Sequence, residues 1–518
     1  MPRTFALTTS TALFALITPQ IALAEVNAQD VWANYQAYIK AFGGTASADV
    51  STKGNVTRLS DMTMSFAFPF GLGAATLKLD AMEIVENGDT TATIRYLNDS
   101  VMTMQAEFAG QGGGEISMRL SGPRMEMVAS GTPGDITYTY DIEDYSVEIL
   151  GFDLDETAIN NLGVDFVSEM TIEGSVDIKG NTGVAQITEG EMLQITMQGG
   201  YSSVNYDFRI DGGDVVSGGQ SGGSGQSDFS GSALLPANGV GLMEWPQALR
   251  DGMSIIIESK SADTFSNQEM VSFGQVASYT IDSMDNTEMT FGFDKDGLRS
   301  SGIVEGYTAD MLDPEIPIPL KFALGAVDVD FAMPLLASDA PQPFVLAFGM
   351  TDLTVDESLW SMIDPGKGLP RGPATVRMVT QGNVGTAIDL LDIPAVSSLG
   401  SAQTLPFSIY DLTISDLFAS ALGAEVSGTG AFTFDMDDLT TFDGMPAPTG
   451  AIDFKLVGAN ALLDTLTGAG LIGEQDAMGA RMGLGIFAVP GSGEDTLTSK
   501  IEIDGATGAI SANGQRIQ

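Results

Sequence analysis

The sequence predicts a mainly β protein, of α+β type with few short helices, in which one elongated and curved antiparallel sheet or groove dominates. Two observations predict this class. Glycine accounts for 62 of 518 residues, whereas charged residues, which include the good helix formers Lys, Glu and Arg, account for only 17%. Apolar residues also alternate with polar ones over many short segments, as in Met62-x-Met64-x-Phe66-x-Phe68. Such alternation is typical of antiparallel sheets with one dry and one wet face.

The N-terminal residues predict export from the cytoplasm. Residues 1–24 carry a single charge, Arg3, then an apolar run over residues 11–17, and end in the small-residue cleavage pattern Ala22-Leu-Ala24. This is the pattern of a secretory signal peptide. A membrane anchor would need about 20 apolar residues, and this run is shorter. We therefore expect a periplasmic protein that is not an integral membrane protein after cleavage.

The predicted organisation after the signal peptide follows changes in the hydrophobic pattern. The chain opens with an amphipathic helix over residues 30–42 and closes with a strand, two helices and a hairpin. We expect an N-terminal β-rich region with the leading helix (25–216), a Gly/Ser-rich loop or linker (217–232), a central β-rich region with strand-helix-strand repeats (233–449) and a C-terminal strand-helix-helix-hairpin unit (450–518).

The repeats are short segments in which a helical spacing follows an alternating strand. Residues 355–363, 414–422 and 460–466 have this pattern, and residues 154–162 are an earlier candidate copy. Asp356, Ser415 and Asn460 are suitable residues to cap the N-termini of the three helices. The pattern predicts one long sheet that carries short helices at intervals.

Composition excludes several functional classes. The chain has no His and no Cys, which removes His-assisted Ser or Cys nucleophiles and all imidazole or thiolate metal sites. Its 68 acidic and 22 basic residues give a net charge of −46. Such an acidic protein repels phosphate backbones, so we expect no nucleic-acid partner. No motif points to a catalytic residue, a cofactor site or a metal site.

Several segments resemble a known family. They are Asp30-Val-Trp-Ala-Asn-Tyr-Gln-Ala-Tyr38, Glu357-Ser-Leu-Trp-Ser-Met-Ile-Asp-Pro365, Leu369-Pro-Arg-Gly-Pro-Ala374 and Ile510-Ser-Ala-Asn-Gly-Gln-Arg516. With them the chain resembles an uncharacterised alphaproteobacterial family of exported proteins, a domain-of-unknown-function family without assigned catalytic residues. The closing hairpin is also similar to the ends of AsmA-like envelope proteins. That resemblance implies a β-groove associated with envelope assembly and lipid handling.

Methionines on the apolar side of the early strands suggest a binding surface. Methionine is flexible and adapts to ligands of variable shape, although it also fills ordinary cores. Only the helix over residues 30–42 is available nearby to cover this long apolar face. We therefore expect an uncovered hydrophobic groove for lipid or another hydrophobic envelope component, lined by Met62, Met64, Phe66, Met102, Met104, Phe108 and Met118.

The expected function is that of a non-enzymatic periplasmic envelope protein. Two alternatives stay open from the sequence. One is an exported carbohydrate-active hydrolase that uses paired carboxylates, because 68 acidic residues offer many pairs whose separation in space the sequence does not report. The other is a purely structural β-sandwich interaction protein, in which a second sheet covers the apolar face.

Overall fold

The computed structural model describes residues 26–68, 72–162, 170–213, 215–241, 244–316, 318–402 and 407–518. The predicted signal peptide lies outside these residues. Within them the chain forms 26 strands, all in one antiparallel sheet, and seven helices. This confirms the predicted mainly β class.

The elements are defined here in chain order. The helices are α1 Ala28–Ala41, α2 Glu156–Leu162, α3 Trp245–Arg250, α4 Glu357–Ile363, α5 Ile393–Ala402, α6 Ala459–Gly468 and α7 Glu474–Phe487. The strands are β1 Gly44–Lys53, β2 Val56–Phe68, β3 Gly73–Glu86, β4 Ala92–Tyr96, β5 Ser100–Phe108, β6 Gly112–Ser121, β7 Met125–Thr132, β8 Asp135–Leu154, β9 Thr171–Thr188, β10 Met192–Tyr201, β11 Ser203–Gly212, β12 Val216–Ser224, β13 Ser227–Pro236, β14 Ser254–Ser272, β15 Gln275–Asp294, β16 Gly297–Leu312, β17 Leu320–Met333, β18 Ser338–Val355, β19 Ala374–Thr386, β20 Phe407–Ala421, β21 Ala424–Asp435, β22 Ala447–Val457, β23 Val489–Pro490, β24 Thr496–Asp504, β25 Ala509–Ala512 and β26 Gln515–Arg516.

The sheet follows the chain almost without interruption. From β14 to β22 every strand pairs with the next one along the chain, and β24 and β25 extend the series. Two strand positions between β3 and β8 are each occupied by two half-length strands placed end to end. β4 and β5 share the position next to β3, and β7 and β6 share the position next to β8. The same division occurs between β9 and β14, where β10 and β13 lie beside β11 and β12.

Antiparallel pairing places the strand ends along two long sides of the sheet. Helices α2, α4, α6 and α7 follow strands that end on one side, which we call the α7 side. Helices α3 and α5 connect strand ends on the opposite side, which we call the α5 side. Apart from α1, the helices therefore decorate the two margins of one sheet.

A line of kinks crosses the sheet from β2 to β18. At Asp61 in β2 the backbone has a positive φ of 51°, and the side-chain alternation changes phase there. Leu59 and Met62 are consequently both buried although they are three residues apart, while the register with β3 is unchanged on either side. Neighbouring strands are kinked at the same level of the sheet, either in the middle of a full-length strand or between two half-length strands. The positive-φ residues of these kinks, the kink line, are Asp61, Asp99, Gly180, Asp263, Gly306 and Asp352.

The predicted Gly/Ser-rich loop or linker at residues 217–232 is wrong as a description of the backbone. This stretch forms most of β12 and the first part of β13, and both strands are paired on both sides. Small residues are needed here because neighbouring side chains fill the space above them. A Cβ on Gly222 would lie 2.5 Å from the Tyr206 hydroxyl oxygen, for example.

The predicted helix at residues 414–422 is also wrong, because these residues belong mainly to β20. A register irregularity between Ile414 and Leu417 puts both side chains on one face. Their three-residue separation imitates helical spacing in the sequence. The helices predicted near residues 154–162, 355–363 and 460–466 are present as α2, α4 and α6.

The C-terminal unit has the predicted order. Strand β22 is followed by α6 and α7 and then by the hairpin of β24 and β25. β24 pairs directly with β22, so the two helices form an excursion from the α7 side between adjacent strands.

Candidate functional site

The apolar face of the N-terminal strands is covered by α1. Asn27 caps this helix and forms a capping box with Asp30, and the helix then lies against strands β1, β3 and β10. Leu59, Ile84 and Ile136 beneath it are completely buried. Helix α3 closes the same core from the α5 side through its buried residue Leu249.

Polar contacts fix α1 to strands that lie far apart in the sheet. The Tyr35 hydroxyl lies 2.9 Å from the Met64 sulfur of β2. Asn34, which is fully buried, accepts a hydrogen bond from the Tyr138 hydroxyl of β8 at 2.8 Å and donates one to the Glu189 carboxylate, also at 2.8 Å. In a flat sheet β2 and β8 would be about 19 Å apart, yet they meet one helix about 10 Å across. The sheet therefore curls around α1.

Burial makes the tyrosines around α1 unusually weak acids. Loss of hydration raises the pKa of Tyr35 and Tyr138 far above the ordinary value, and the neighbouring Glu189 raises the pKa of Tyr138 further. Burial also raises the pKa of Tyr38 and Tyr96. The Tyr35 and Tyr138 hydroxyls therefore stay neutral and serve as hydrogen-bond donors beneath α1.

The same face of the sheet is uncovered further along the chain. Residues paired across neighbouring strands share one face, so the register traces rows of side chains across the sheet. Three such rows, which we call the open face, run from β15 to β24. They are Phe291, Ser300, Phe331, Leu346, Thr380, Ile414, Gly430, Ile452 and Ile501; Met289, Gly302, Val329, Phe348, Met378, Leu417, Gly428, Phe454 and Ser499; and Thr287, Val304, Val327, Met350, Val376, Ala419, Val426, Leu456 and Leu497.

Side-chain exposure distinguishes the open face from the covered core. Met289 is 60% exposed, Val329 49% and Leu346 44%, whereas most other residues of the rows are partly buried and Thr380 is buried. The opposite face of the same strands carries ion pairs, such as Lys260 with Glu288 at 2.9 Å. The open face is about 40 Å long and about 14 Å wide at ordinary strand and residue spacings. An uncovered apolar surface of this size is typical of an interaction site.

The residues predicted to line the groove divide between covered and uncovered positions. Met62 and Met64 are buried, with 1% and 6% exposure, because α1 packs on them. They are therefore part of the core and unavailable to a ligand. Phe66, Met102 and Met118 are partly buried. Of the seven predicted residues, Met104 and Phe108 are the two that are exposed, at 45% and 50%.

Met104 and Phe108 line a small apolar cavity at the α7 side. It has a volume of about 430 Å³, and its wall also includes Ile116 of β6, Phe152 of β8 and Ala158 of α2. The pairing of β5 with β3 and β6 places Met104 on the face that carries Met64. The predicted groove is thus reduced to this cavity, and sequence reasoning missed the larger open face. Alternation such as Val327-x-Val329-x-Phe331-x-Met333 was the signal that could have revealed it.

A larger cavity lies on the opposite, polar face. It has a volume of about 730 Å³ over the small residues of β12, and its walls include Asp207, Glu269 and Asp310. Asp310 accepts a hydrogen bond from Tyr279 at 3.1 Å and pairs with Lys321 at 2.6 Å. A hydrolase needs one carboxyl to give a proton and another to attack or activate water. The ion pair engages Asp310 and makes it a poor candidate for either task.

A carboxylate elsewhere caps a turn. Asp438, after β21, accepts hydrogen bonds from the backbone and hydroxyl groups of Thr440 and Thr441, and these bonds lower its pKa to about 2. Among the described residues no cluster of three or more acidic side chains is arranged to hold a metal ion.

Two further findings bear on function. Among the described helices, none has the length and apolar composition needed to cross a membrane. The predicted family resemblance and the periplasmic location stay predictions. In comparisons with known proteins, the chain matches no family model, no curated protein and no solved structure.

Proposed function

We propose that this is a non-enzymatic periplasmic protein that binds lipid acyl chains, or another hydrophobic envelope component, against the open face. The observation that carries the proposal is the exposure of large apolar side chains in these rows, namely Met289, Val329, Leu346, Phe348 and Val376, in a chain whose net charge is −46. Exposed apolar area of this extent is costly in water unless a ligand or partner covers it.

The dimensions of the open face suit an acyl chain. Two acyl chains end to end span a hydrocarbon core of about 30 Å, so one chain is about 15 Å long. The open face, about 40 Å by 14 Å, accommodates such a chain along the sheet or across it. Met289, Met350 and Met378 lie in its rows and can repack around chains of different shape.

A β-sandwich receives less support than a ligand-binding face. In a sandwich a second sheet packs over the first at about 10 Å. All described strands belong to one sheet, so no second sheet of the described chain covers the rows from β15 to β24. A partner protein that supplies such a sheet remains an outcome of the tests below.

The direct test is to ask what the protein carries. Protein purified from the periplasm is analysed by native mass spectrometry and by lipid extraction, and its binding of a fluorescent fatty acid is titrated. We expect co-purified lipid and saturable probe binding. Recovery of protein without lipid, together with no probe binding, would reject the proposal. A stoichiometric protein in place of lipid would favour the interaction-protein alternative.

A matched pair of variants locates the ligand. Met289 and Thr290 are adjacent in β15, both exposed, and point to opposite faces. Met289→Lys puts a charge on the open face and is expected to weaken probe binding at least tenfold. Thr290→Lys adds the same charge to the polar face and should leave binding unchanged. Equal binding by both variants would place the ligand elsewhere, with the cavity at Met104 as the next site to test by Met104→Lys.

A further inference from the structure

The α7 side of the sheet carries large apolar side chains at its turns and helices. Six of them, which we call the apolar tips, come from strand connections spread between β2 and α7. Phe273 is 78% exposed, Met482 67% and Met478 62%. The other three, Met362, Leu72 and Phe108, are between 50% and 59% exposed.

Turns on the opposite side are mostly polar. Gly54-Asn55 joins β1 to β2, Pro133-Gly134 joins β7 to β8, and Lys295-Asp296 joins β15 to β16. An antiparallel sheet places successive turns on alternate sides, so its topology alone gives no reason for the turns of one side to be more apolar than those of the other. The α5 side also exposes Met445 and Leu439, at 64% and 47%, in its connection between β21 and β22, but the α7 side carries more such residues, including Phe273, the most exposed of them.

The turn at Phe273 has no folding reason to contain an aromatic residue. Phe273 and Gly274 have φ values of 51° and 73°, which is the geometry of a tight hairpin turn with both central residues in the left-handed region. The chain uses Asn513-Gly514 for the same geometry at another hairpin, with φ values of 51° and 79°, and Leu422-Gly423 at a third, where the Leu is partly buried whereas Phe273 is exposed. Asn is preferred there because bulky side chains are strained at positive φ. A strained and exposed Phe indicates a function outside the fold.

We propose that the α7 side docks on a membrane surface whose headgroups carry no net charge, with the apolar tips inserted at its interface. The tips lie along one margin of the sheet at positions many strands apart, so a partner that contacts several of them must itself be extended, as a membrane surface is. Acidic residues such as Asp313, Glu315 and Glu474 lie between them, and the whole chain has a net charge of −46. This charge repels anionic lipid and favours a neutral or zwitterionic surface.

Docking is independent of the ligand proposed for the open face, and flotation with vesicles tests it directly. The full chain purified from the periplasm is mixed with phosphatidylcholine vesicles, or with vesicles that also contain phosphatidylglycerol, and floated through sucrose. We expect co-flotation with phosphatidylcholine that falls as phosphatidylglycerol is added. Removal of one inserted aromatic tip by Phe273→Asn should lower partitioning about tenfold.

Controls separate docking from folding. Phe273→Asn relieves the strained turn and should therefore keep or raise the melting temperature while it weakens flotation. The double variant Met478→Ser with Met482→Ser removes two tips from α7 and should weaken flotation similarly. Met445→Ser is the matched control, because Met445 is 64% exposed but lies in the connection of β21 to β22 on the α5 side.

Four results would overturn the proposal. They are no flotation with either vesicle, flotation only with phosphatidylglycerol, an equal loss for Met445→Ser, and concentration-dependent self-association in analytical ultracentrifugation that the tip variants abolish. Self-association would assign the tips to a second copy of the chain. Met289→Lys should leave flotation intact, and Phe273→Asn should leave fatty-acid binding intact, so the two proposals fail separately.

Discussion

The covered core around α1 and the open face differ in what lies above the sheet, although the sheet itself is continuous between them. In the covered core, Leu59 and Ile84 are fully buried, and Asn34 joins α1 to two distant strands. In the open face, Met289 and Val329 have the same alternation and the same antiparallel pairing but lie half in water. The same pairing thus occurs with and without a covering helix, and the side chains beneath α1 bury more apolar surface than those of the open face. We propose that the open rows serve binding instead.

The largest expected difference comes from placing a charge on each region. Ile84→Asp buries an uncompensated carboxylate under α1 and should cost more than about 4 kcal/mol, enough to unfold that region. Phe348→Asp changes a residue of the open face that is 39% exposed, and should cost about 1 kcal/mol or less. Thermal unfolding followed by circular dichroism measures both. Similar losses for the two variants would mean that the open face is buried in solution.

The buried polar contact of Asn34 gives the next effect. Asn34→Ala leaves the Tyr138 hydroxyl and the Glu189 carboxylate without this partner, and should destabilise the chain by about 1 to 3 kcal/mol. Asn286 offers a matched control, because it donates to Glu305 at 3.3 Å in an exposed position. Asn286→Ala should change stability by less than about 0.5 kcal/mol. Denaturant titration of both variants compares them, and a larger loss for Asn286→Ala would contradict the distinction.

Alkaline pH should weaken the covered core through its tyrosines. Burial raises the pKa of Tyr35 and Tyr138 in the folded chain, so the folded state keeps protons that the unfolded state loses above its ordinary pKa. Stability from this source is complete below about pH 10 and falls as the pH rises above it. Denaturant titrations at several alkaline pH values measure the fall. Tyr138→Phe should make it shallower, and an unchanged slope would show that Tyr138 does not contribute.

The smallest effect is expected on the polar face behind the open rows. Lys260 and Glu288 form an ion pair at 2.9 Å, and both side chains are more than half exposed. Such pairs contribute little, so Lys260→Gln should change stability by less than about 0.5 kcal/mol. Differential scanning calorimetry in low and high salt checks this. A loss above about 1 kcal/mol would indicate that the polar face is less solvated than its exposure suggests.

Local patterns in the sequence predicted much of the fold. The alternation at residues 62–68 and the amphipathic helix predicted over residues 30–42 each depend on neighbouring residues, and both are present as β2 and α1. The Gly/Ser-rich loop or linker predicted at residues 217–232 is paired strand instead, because residues without large side chains give no hydrophobic period that would have indicated it. The helix predicted at residues 414–422 is absent because a β-bulge in a strand produces a three-residue separation like that of a helix.

The candidate site was harder to predict because coverage is a long-range property. Met64 and Met104 have the same sequence context, yet α1 covers Met64 and leaves Met104 exposed. The difference depends on how far the sheet curls before β8 reaches Asn34, which no short window of sequence contains. The same limitation concealed the open face, whose strands alternate as clearly as those of the covered core.

The kink line determines which side chains of each strand point to the covered face of the sheet on either side of the kink. A strand that passed Asp61 without the positive φ would continue its alternation unchanged, and Met62 and Met64 would then point to the solvent side. Hydrogen bonding to β3 could still form, because the register is the same on both sides of the kink. An error at this line would thus give a chain with correct pairing and an inverted surface. Such a chain would keep its secondary structure but expose apolar side chains and aggregate. Cellular quality control would therefore encounter an aggregation-prone folded sheet instead of an unfolded chain.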